Sequence, residues 1–507
     1  MASETAETVV VDGNLTGEMA TMAGALKDFL AHYPDFDHAA VETLRATDYA
    51  RLDRLDQVYL DYTGGGLHAH SQIVQHVEML ENSVLGNPHS HNPTSLAMTE
   101  RVEQTRAEVL RYFHADPAEY VAIFTANASG ALKHVGESYP FTPESRFLLT
   151  FDNHNSVNGI REFARSRGAQ TTYVPLTLPE LRLDVDQLRR AFVAEKPQGH
   201  HLFAMPAQSN FSGVQHPLGL IAEAKANGWD VLIDAAAFAP TNRLDIGRWQ
   251  PDFVSLSFYK MFGFPTGLGA LIARRSVLRT LRRPWFAGGT ITIASVQGDG
   301  HYFADDEAAF EDGTIDYLNI PAVEIGLRHL EQIGIDTIHT RVACLTGWLL
   351  DTLPTLHHSN GTPLIRVHGP TDTTDRGGTV TISFYDVDGV PIDERRIEEL
   401  AGQAHISLRT GCFCNPGAGE IAHGLSAAEM QSFFQSGQRF SFEDLRHRIQ
   451  DEYQKSVASI RVSVGIATTF ADVYRLVKFA AGFQDRTVAE IGQVAWSPEC
   501  DLSRANV

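Results

Sequence analysis

The sequence has few basic residues for its length. It contains 41 lysines and arginines against 62 aspartates and glutamates, which gives a formal net charge of −21. Because so acidic a chain repels a phosphate backbone, nucleic acid is not an expected partner. The first seven residues have neither a basic start nor an apolar core, so no secretory signal is expected there.

Cysteines and long apolar runs are scarce as well. The cysteines Cys344, Cys412, Cys414 and Cys500 are too few in 507 residues for a disulfide framework. No run of about 18 apolar residues is present, so no membrane-spanning helix is expected. These absences predict a cytoplasmic protein in a reducing compartment. The length exceeds one ordinary hydrophobic core, which predicts two lobes.

Short apolar strands alternate with helices in the first two thirds of the chain. Strands are predicted at 121–124, 147–151, 201–205, 230–233, 253–257 and 270–273, with helices between them, among them 156–166. Continuous apolar strands separated by helices are typical of a mainly parallel sheet covered on both faces. We therefore predict an α/β fold, in which ligands bind beyond the carboxyl ends of the strands.

The pattern changes near Asp316, where two long helices lead to a strand at 379–384 that alternates like a half-exposed strand. Such a pattern is typical of a smaller α+β domain. We predict three segments, which are an acidic and helical extension that joins the small domain (1–55), a large domain (56–330) and a small C-terminal domain (331–507). A polar helical insertion is predicted at 425–456.

Lys260 lies in an almost uncharged stretch between an apolar strand and a glycine turn. Burial among aromatic side chains disfavours the charged form of a lysine and lowers its pKa, and such an amine is suited to Schiff-base chemistry. Asp234 ends an earlier strand. Pyridoxal phosphate (PLP) requires this pair, since the lysine holds the aldehyde and the aspartate keeps the ring nitrogen protonated. Each residue alone has a plainer interpretation. Lys260 would be a lysine that extends to solvent from a strand edge, and Asp234 would be an aspartate that caps a helix.

Small residues join the strand at 121–124 to the next helix. Backbone N–H groups near Asn127, Ser129 and Gly130, with the serine hydroxyl, would hold a phosphate monoester. A serine that caps the helix explains the motif nearly as well. Ser257, three residues before the lysine, could add a further phosphate contact.

Two polar side chains follow the next strands along the chain. His154 is placed to lie flat on a planar ring, and a surface histidine is an equally good interpretation of it. Asn210 could donate a hydrogen bond to a phenolate oxygen. Both residues lie where the strands of a parallel sheet end.

The remaining candidates lie in the C-terminal lobe. Arg409 precedes Cys412 and Cys414 on a loop that contains glycine and proline. A Cys-x-Cys pair could belong to a zinc site, but no second pair of ligands with suitable spacing is evident. An exposed thiol near an arginine has a lowered pKa and becomes a nucleophile. Arg461, isolated on a predicted strand, is suited to a bidentate grip on an amino-acid carboxylate.

Taken together, these segments resemble the class V branch of fold-type I PLP enzymes. The chain is most similar to the N-terminal domain of molybdenum-cofactor sulfurases and more distantly to cysteine desulfurases. The likeness covers roughly residues 55 to 480 and rests on the blocks at 59–61, 87–90, 206–213, 234–237, 257–263, 310–314 and 409–417. It implies a fold-type I enzyme with a mainly parallel seven-stranded sheet in its large domain.

The resemblance implies a role for each cofactor residue. Lys260 would carry the cofactor covalently, and Asp234 would pair with its pyridinium nitrogen. His154 would stack on the ring, and Asn210 would bind the phenolate oxygen. Thr290, with its preceding glycine, matches a segment that reaches the phosphate of a neighbouring subunit, which implies a homodimer.

For the substrate, the resemblance implies that Arg461 holds the carboxylate, with Arg409 nearby, and that Cys414 is the nucleophile that becomes a persulfide. Two local departures stand out. Residues 62–66 differ from the usual His-Ala-Gly-Ala-Thr, and Tyr259 precedes the lysine where many desulfurases have histidine. The resemblance covers no domain of the kind that carries the molybdenum cofactor in eukaryotic sulfurases, so it does not imply transfer to that cofactor.

The leading hypothesis is an enzyme that takes sulfur from L-cysteine through a Cys414 persulfide, releases L-alanine and passes the sulfur to a protein or small molecule. The alternative is a PLP-dependent C–S lyase, epimerase or aminotransferase of a specialised pathway. Cys414 distinguishes the two, because an aminotransferase does not require it. A third hypothesis, a scaffold that has lost catalysis, conflicts with the presence of both Lys260 and Asp234.

Overall fold

A seven-stranded sheet forms the centre of the larger part of the molecule. The computed structural model describes residue 15 and residues 17–194, 197–435 and 439–494. The strands lie in the order Tyr120–Thr125, Gly269–Arg274, Phe253–Ser257, Asp230–Asp234, Leu202–Pro206, Arg146–Thr150 and Gln170–Val174. Gly269–Arg274 runs antiparallel to both neighbours, and the other adjacent pairs are parallel. The predicted mainly parallel α/β fold is confirmed.

The sheet separates two apolar cores. Val231 and Ile233 belong to one core and Leu232, between them, belongs to the other, because successive side chains of a strand point to opposite faces. The neighbouring strands alternate in the same way. This double burial explains why the strands are continuous apolar runs in the sequence.

Helices of the larger part connect these strands and precede or follow them. They are His70–Glu81, Pro93–Tyr112, Ala128–Ser138, Asn155–Asn158, Ile160–Ser166, Val185–Val193, Leu220–Ala226, Ile246–Trp249, Phe258–Phe262, Arg275–Leu278 and Ile320–Ile333. The single helix predicted at 156–166 is wrong, because the helix is interrupted at Gly159. Glycine is a poor helix former, which favours a break at this position. Short antiparallel pairs join Ile291–Ser295 to Gly300–Phe303 and Leu176–Thr177 to Arg182–Leu183.

The smaller part contains a second, antiparallel sheet. Its four strands lie in the order Ile365–His368, Thr379–Phe384, Ser459–Ser463 and Arg409–Gly411. The helices of this part are Ile335–Thr352, Glu394–Gln403, Pro416–Ala422, Phe470–Ala481 and Val488–Ile491. Two further helices, Ala427–Gln435 and Phe442–Tyr453, lie within the predicted insertion.

The described N-terminal helices pack on the smaller part. They are Met22–His32, His38–Thr47 and Arg51–Arg54. The ring of Phe29 lies 4.7 Å from that of Phe470, and Arg45 forms an ion pair with Asp472 at 2.8 Å. The acidic start of the chain falls largely outside the described residues.

The predicted domain boundaries at 55 and 330 stay predictions. Strand Val58–Tyr59, just after the first boundary, pairs in parallel with Ile406–Ser407 of the smaller part. Across the described ranges, no helix is both long and apolar enough to cross a membrane.

Candidate functional site

A cleft lies at the carboxyl ends of the parallel strands. Its lining comprises Asn127, Ala128, Ser129, Leu132, His154, Ser156, Pro206, Gln208, Asn210, Asp234, Ala236, Ala237, Ser257, Tyr259 and Lys260. Each of these residues ends a strand or follows one. The structure therefore brings together most of the cofactor residues predicted from separate parts of the sequence, as the geometry of a parallel sheet requires.

Lys260 lies on the short helix Phe258–Phe262, which begins directly after a central strand. Burial lowers the pKa of its ammonium group, and the nearby carboxylate of Asp234 opposes this effect. The helix packs on the glycine turn near Gly66, whose N–H donates to the Tyr259 carbonyl at 3.0 Å. A Cβ on Gly66 would lie 2.8 Å from the Lys260 carbonyl oxygen, so the turn requires glycine for this close contact.

Asp234 is held in a fixed orientation at the end of its strand. Its Oδ1 accepts a hydrogen bond from the Ser255 hydroxyl at 2.9 Å and another from the Ala236 N–H at 3.0 Å. Asp234 is 9% exposed and lines the cleft. A buried carboxylate fixed in this way is suited to stabilise a cation such as a protonated pyridine nitrogen.

His154 is the N-cap residue of the short helix Asn155–Asn158. The backbone N–H of Ser156 donates to His154 Nδ1 at 3.1 Å, so the neutral ring carries its proton on Nε2. Burial lowers the pKa of His154, the charge of Asp234 opposes this effect, and the charge of Lys260 adds to it. A neutral, planar ring at the edge of the cleft is compatible with stacking on a flat cofactor.

The helix that follows the predicted phosphate end is capped by Asn127, so the interpretation of the motif as a serine cap is wrong. The role of the motif in binding phosphate stays a prediction. Asn127 caps the helix Ala128–Ser138 by accepting from the Gly130 N–H at 2.9 Å. The hydroxyls of Ser129 and Ser156 lie 2.6 Å apart. Gly130 lines an adjoining groove and not the cleft. Asn127, Ser129 and Ser257 line the cleft.

Asn210 joins the cleft to the loop that carries Cys414. Its Nδ2 donates to the Phe413 carbonyl at 2.7 Å, and its Oδ1 accepts from Asn415 Nδ2 at 2.9 Å. One N–H of the Asn210 amide is therefore used by the loop, and the second remains for a ligand.

Cys414 lies on a loop docked against the cleft. Its thiol is exposed, and its carbonyl accepts from the Asn155 N–H at 2.7 Å, directly beside His154. Cys412, two residues earlier, is half-buried, and burial raises the pKa of its thiol. The two thiols thus differ in accessibility, with Cys414 the accessible one. Within the described ranges, no cluster of three or more His, Cys, Asp or Glu could hold a metal ion.

Arg461 and Arg409 face each other on adjacent strands of the small sheet. Arg461 is buried, and its Nη1 donates to the Asn210 carbonyl at 3.1 Å. Both arginines form ion pairs with Asp61, through Arg461 Nη2 at 3.1 Å and through Arg409 Nε at 3.0 Å. Burial lowers the pKa of Arg461 and Asp61 opposes this effect, whereas the hydrogen bond to Asp61 raises the pKa of Arg409.

Thr290 is not part of this chain's cleft. Its side chain is buried in its own turn, where its hydroxyl donates to the Ala287 carbonyl at 2.8 Å. The turn precedes the strand pair that begins at Ile291–Ser295. A role at the phosphate of a neighbouring subunit stays a prediction.

Four supporting residues are absent from the set predicted as functional. Asp61 links the two arginines, Ser255 orients Asp234, Ser156 orients His154, and Asn415 anchors the Cys414 loop. Ser255 was detectable, because it lies two residues before Ser257 on one strand and so shares its face. The partners of Asp61 and Asn415 are distant in sequence, and no local pattern pairs them.

Comparison with known proteins defines the class of the molecule. The fold is similar to that of the apo cysteine desulfurase from Thermococcus onnurineus NA1, with a TM-score of 0.70 and 21% identity over 86% of this chain and 96% of that one. It is also similar to a C-DES mutant with glycine covalently linked to its PLP cofactor, with a TM-score of 0.63 and 17% identity over 84% and 97% of the two chains.

Residues 58–476 match the family model described as "Aminotransferase class-V", and the chain belongs to this family. It is 35% identical over 488 residues to the molybdenum cofactor sulfurase of Solanum lycopersicum, a match that covers 90% of this chain and 58% of that protein. The chain therefore spans little more than half the length of this relative. The family predicted from the sequence is confirmed.

Proposed function

We propose that the protein is a PLP-dependent enzyme that removes sulfur from L-cysteine, gives L-alanine, and carries the sulfur as a persulfide on Cys414. The observation that supports this proposal best is the position of the exposed Cys414 thiol, on a loop bonded to the cleft beside His154. The class-V family and the similarity to molybdenum cofactor sulfurase support the same activity.

The residues of the cleft fit PLP. A half-buried lysine with a lowered pKa offers an amine, and the charge of the fixed Asp234 carboxylate acts on this amine. His154 offers a neutral ring, and the small polar side chains at Asn127 and Ser129 begin a helix whose N-terminus favours phosphate. When bound, the cofactor would supply an aldehyde for the amine and an electron sink for the substrate.

The residues of the small sheet fit an amino-acid substrate. Arg461 is buried, and its Nε has no hydrogen-bond partner among the described residues, so a carboxylate there would satisfy an unpaired donor. The Cys414 thiolate would attack the substrate sulfur, and an S–S bond would form as the C–S bond breaks. The electron pair would stay on the substrate carbon, which takes a proton to give alanine.

The test is to supply the purified protein with PLP and L-cysteine, and to measure L-alanine and protein-bound persulfide. We expect one persulfide per chain before any acceptor is added, and a matching amount of alanine. Pyruvate and free sulfide in place of alanine would indicate the C–S lyase alternative. A keto acid with no loss of sulfur would indicate transamination.

We also propose a homodimer in which each subunit completes the phosphate end of its partner's cleft. Large apolar side chains are exposed on one segment, namely Trp285, Phe286, Ile293, Val296 and Tyr302. Exposed apolar clusters of this kind mark interaction sites, and twofold pairs are the commonest closed assemblies. Asn127 and Ser129 are exposed in the single chain, which leaves them accessible to a second subunit.

The sulfur acceptor, a protein or a small molecule, would approach the exposed side of Cys414. A cytoplasmic, reducing location is consistent with this role, since Cys344, Cys412 and Cys414 are all free thiols. A reducing environment would keep Cys414 available for each turnover.

A further inference from the structure

Asp61 is buried between two arginines of the small sheet. Arg409 Nε donates to its Oδ2 at 3.0 Å, and Arg461 Nη2 donates to its Oδ1 at 3.1 Å. Asp61 is only 6% exposed. Two guanidinium groups and one carboxylate give this group of three side chains a net charge of +1, and Arg461 joins it to Asn210 of the cleft.

The position of this carboxylate is fixed by the turn that follows it. The Asp61 carbonyl accepts from the Gly64 N–H at 2.9 Å and from the Gly65 N–H at 3.1 Å. A Cβ on Gly64 would lie 2.5 Å from both carboxylate oxygens, so glycine at this position makes room for the side chain. The turn therefore holds the Asp61 side chain in an orientation that faces the arginines.

The two arginines differ in what they can still bind. Arg461 lies over the Phe413 ring at 4.7 Å, and its buried Nε lacks a partner among the described residues. The side chain of Arg409 is 52% exposed, and its Nε and one terminal nitrogen donate to Asp61. Arg461 is thus the arginine that needs a further anion, while Arg409 is already neutralised.

We propose that Asp61 determines the charge specificity of the substrate site. By neutralising Arg409 it leaves one positive charge for the α-carboxylate on Arg461, and it repels amino acids that carry a second acidic group. This inference rests on the proposed function, because it assigns the cleft to an amino-acid substrate. Without Asp61, Arg409 would become a second carboxylate site beside the first.

The decisive experiment compares two ligands of nearly equal shape, L-aspartate and L-asparagine, on cofactor-loaded protein. Their dissociation constants are measured by calorimetry for the wild type and for Asp61→Asn, which keeps the size of the side chain and removes its charge. We expect the ratio of the affinity for aspartate to the affinity for asparagine to rise about tenfold in the variant. The positive charge of Arg409 would then no longer be neutralised and would attract the second carboxylate of aspartate. An unchanged ratio would overturn the proposal.

The matched control is Glu398→Gln. Glu398 accepts from the Thr410 hydroxyl at 2.6 Å, and its charge raises the pKa of Arg409. This variant removes an acidic charge near Arg409 but keeps both hydrogen bonds from Arg409 to Asp61, so the ligand ratio should stay at the wild-type value. In a double variant, Arg409→Gln added to Asp61→Asn should abolish the gain, and a gain that persists would contradict the assignment of the second site.

If circular dichroism shows that Asp61→Asn does not fold, the variant Arg409→Gln alone tests the proposal. Asp61 would then neutralise Arg461, so L-asparagine should bind about tenfold more weakly. Unaltered asparagine binding would overturn the proposal. Failure of the wild type to convert L-cysteine to alanine would refute the proposed activity, whereas the ligand ratios test Asp61 separately.

Discussion

The side-chain amide of Asn415 donates a hydrogen bond to Asn210 Oδ1 at 2.9 Å, and it also donates to the Asp152 carbonyl at 2.7 Å. These bonds connect the Cys414 loop to segments that follow two different strands of the large sheet. Phe413 and Cys414 have φ angles of 55° and 54°, and each left-handed residue costs about 1–2 kcal/mol. The docked loop therefore depends on its hydrogen bonds.

Asn415→Ala should slow persulfide formation about tenfold while the protein keeps its cofactor. The variant loses the two hydrogen bonds above and a third, in which the Asn415 side chain accepts from the Ala418 N–H at 3.2 Å and caps the helix Pro416–Ala422. Each is worth about 0.5–1.5 kcal/mol, so the docked loop becomes less populated. A rapid-quench measurement of alanine in the first turnover checks this expectation. Asn82→Ala, which loses a surface hydrogen bond to the Glu78 carbonyl, is the control and should behave as the wild type. Equal rates for both variants would contradict a role for Asn415 in docking.

Lys260→Ala should abolish the covalent attachment of PLP that borohydride makes permanent in the wild type, measured by mass spectrometry of the intact protein. The side chain is the amine of the cleft, and the phosphate end does not depend on it. The variant should therefore stay folded, which circular dichroism checks, and should still bind PLP reversibly in equilibrium dialysis. Lys133→Ala removes an exposed lysine and should leave this attachment unchanged. A Lys260→Ala protein that still carries covalently attached PLP after borohydride would refute the assignment.

Cys414→Ser should eliminate both persulfide and alanine formation and leave the visible spectrum unchanged, because its thiol is the accessible nucleophile. Cys412→Ser should be milder, since burial raises the pKa of that thiol and keeps it protonated at neutral pH. Mass spectrometry of the intact protein after exposure to L-cysteine measures the persulfide. Full turnover by Cys414→Ser would favour the lyase or aminotransferase alternative.

The free energy of unfolding should fall at acidic pH, and the protonation of His368 should contribute to this loss. Burial lowers its pKa to about 3, whereas the unfolded chain titrates near 6.5. Between these values the unfolded state binds the extra proton, so stability is lost as the pH falls below about 6.5. His368→Gln should remove about 2 kcal/mol of the loss between pH 7.5 and pH 5.0, measured by urea unfolding. An unchanged pH profile for His368→Gln would contradict the prediction.

Val296→Asp should shift the protein from dimer to monomer in light scattering. Val296 is fully exposed at the tip of an apolar strand pair, and a buried charge at an interface is costly. The variant should also bind PLP more weakly if the partner completes the phosphate end. Phe434→Asp changes another exposed apolar residue and serves as the control. A wild-type protein that is monomeric and fully active would refute the dimer.

Much of the fold was predictable because its determinants are local. Each central strand is a continuous apolar run, as its burial on both faces requires, and Phe253–Ser257 was predicted with its bounds as observed. Lys260 and Asp234 were predictable as a pair because Asp234 ends such a strand and Lys260 follows one closely. The break at Gly159 was missed, since a single glycine does not always end a helix.

The sequence by itself determined the family and the α/β sheet, and it predicted the lysine, the aspartate and the cysteine of the site, because these depend on residue type and position along a strand. Only the tertiary structure decided how Asp61 joins Arg409 to Arg461 and how Asn415 holds the Cys414 loop. These contacts join residues hundreds of positions apart, and no local periodicity encodes them. Their partners become neighbours only when the two sheets pack together around the cleft.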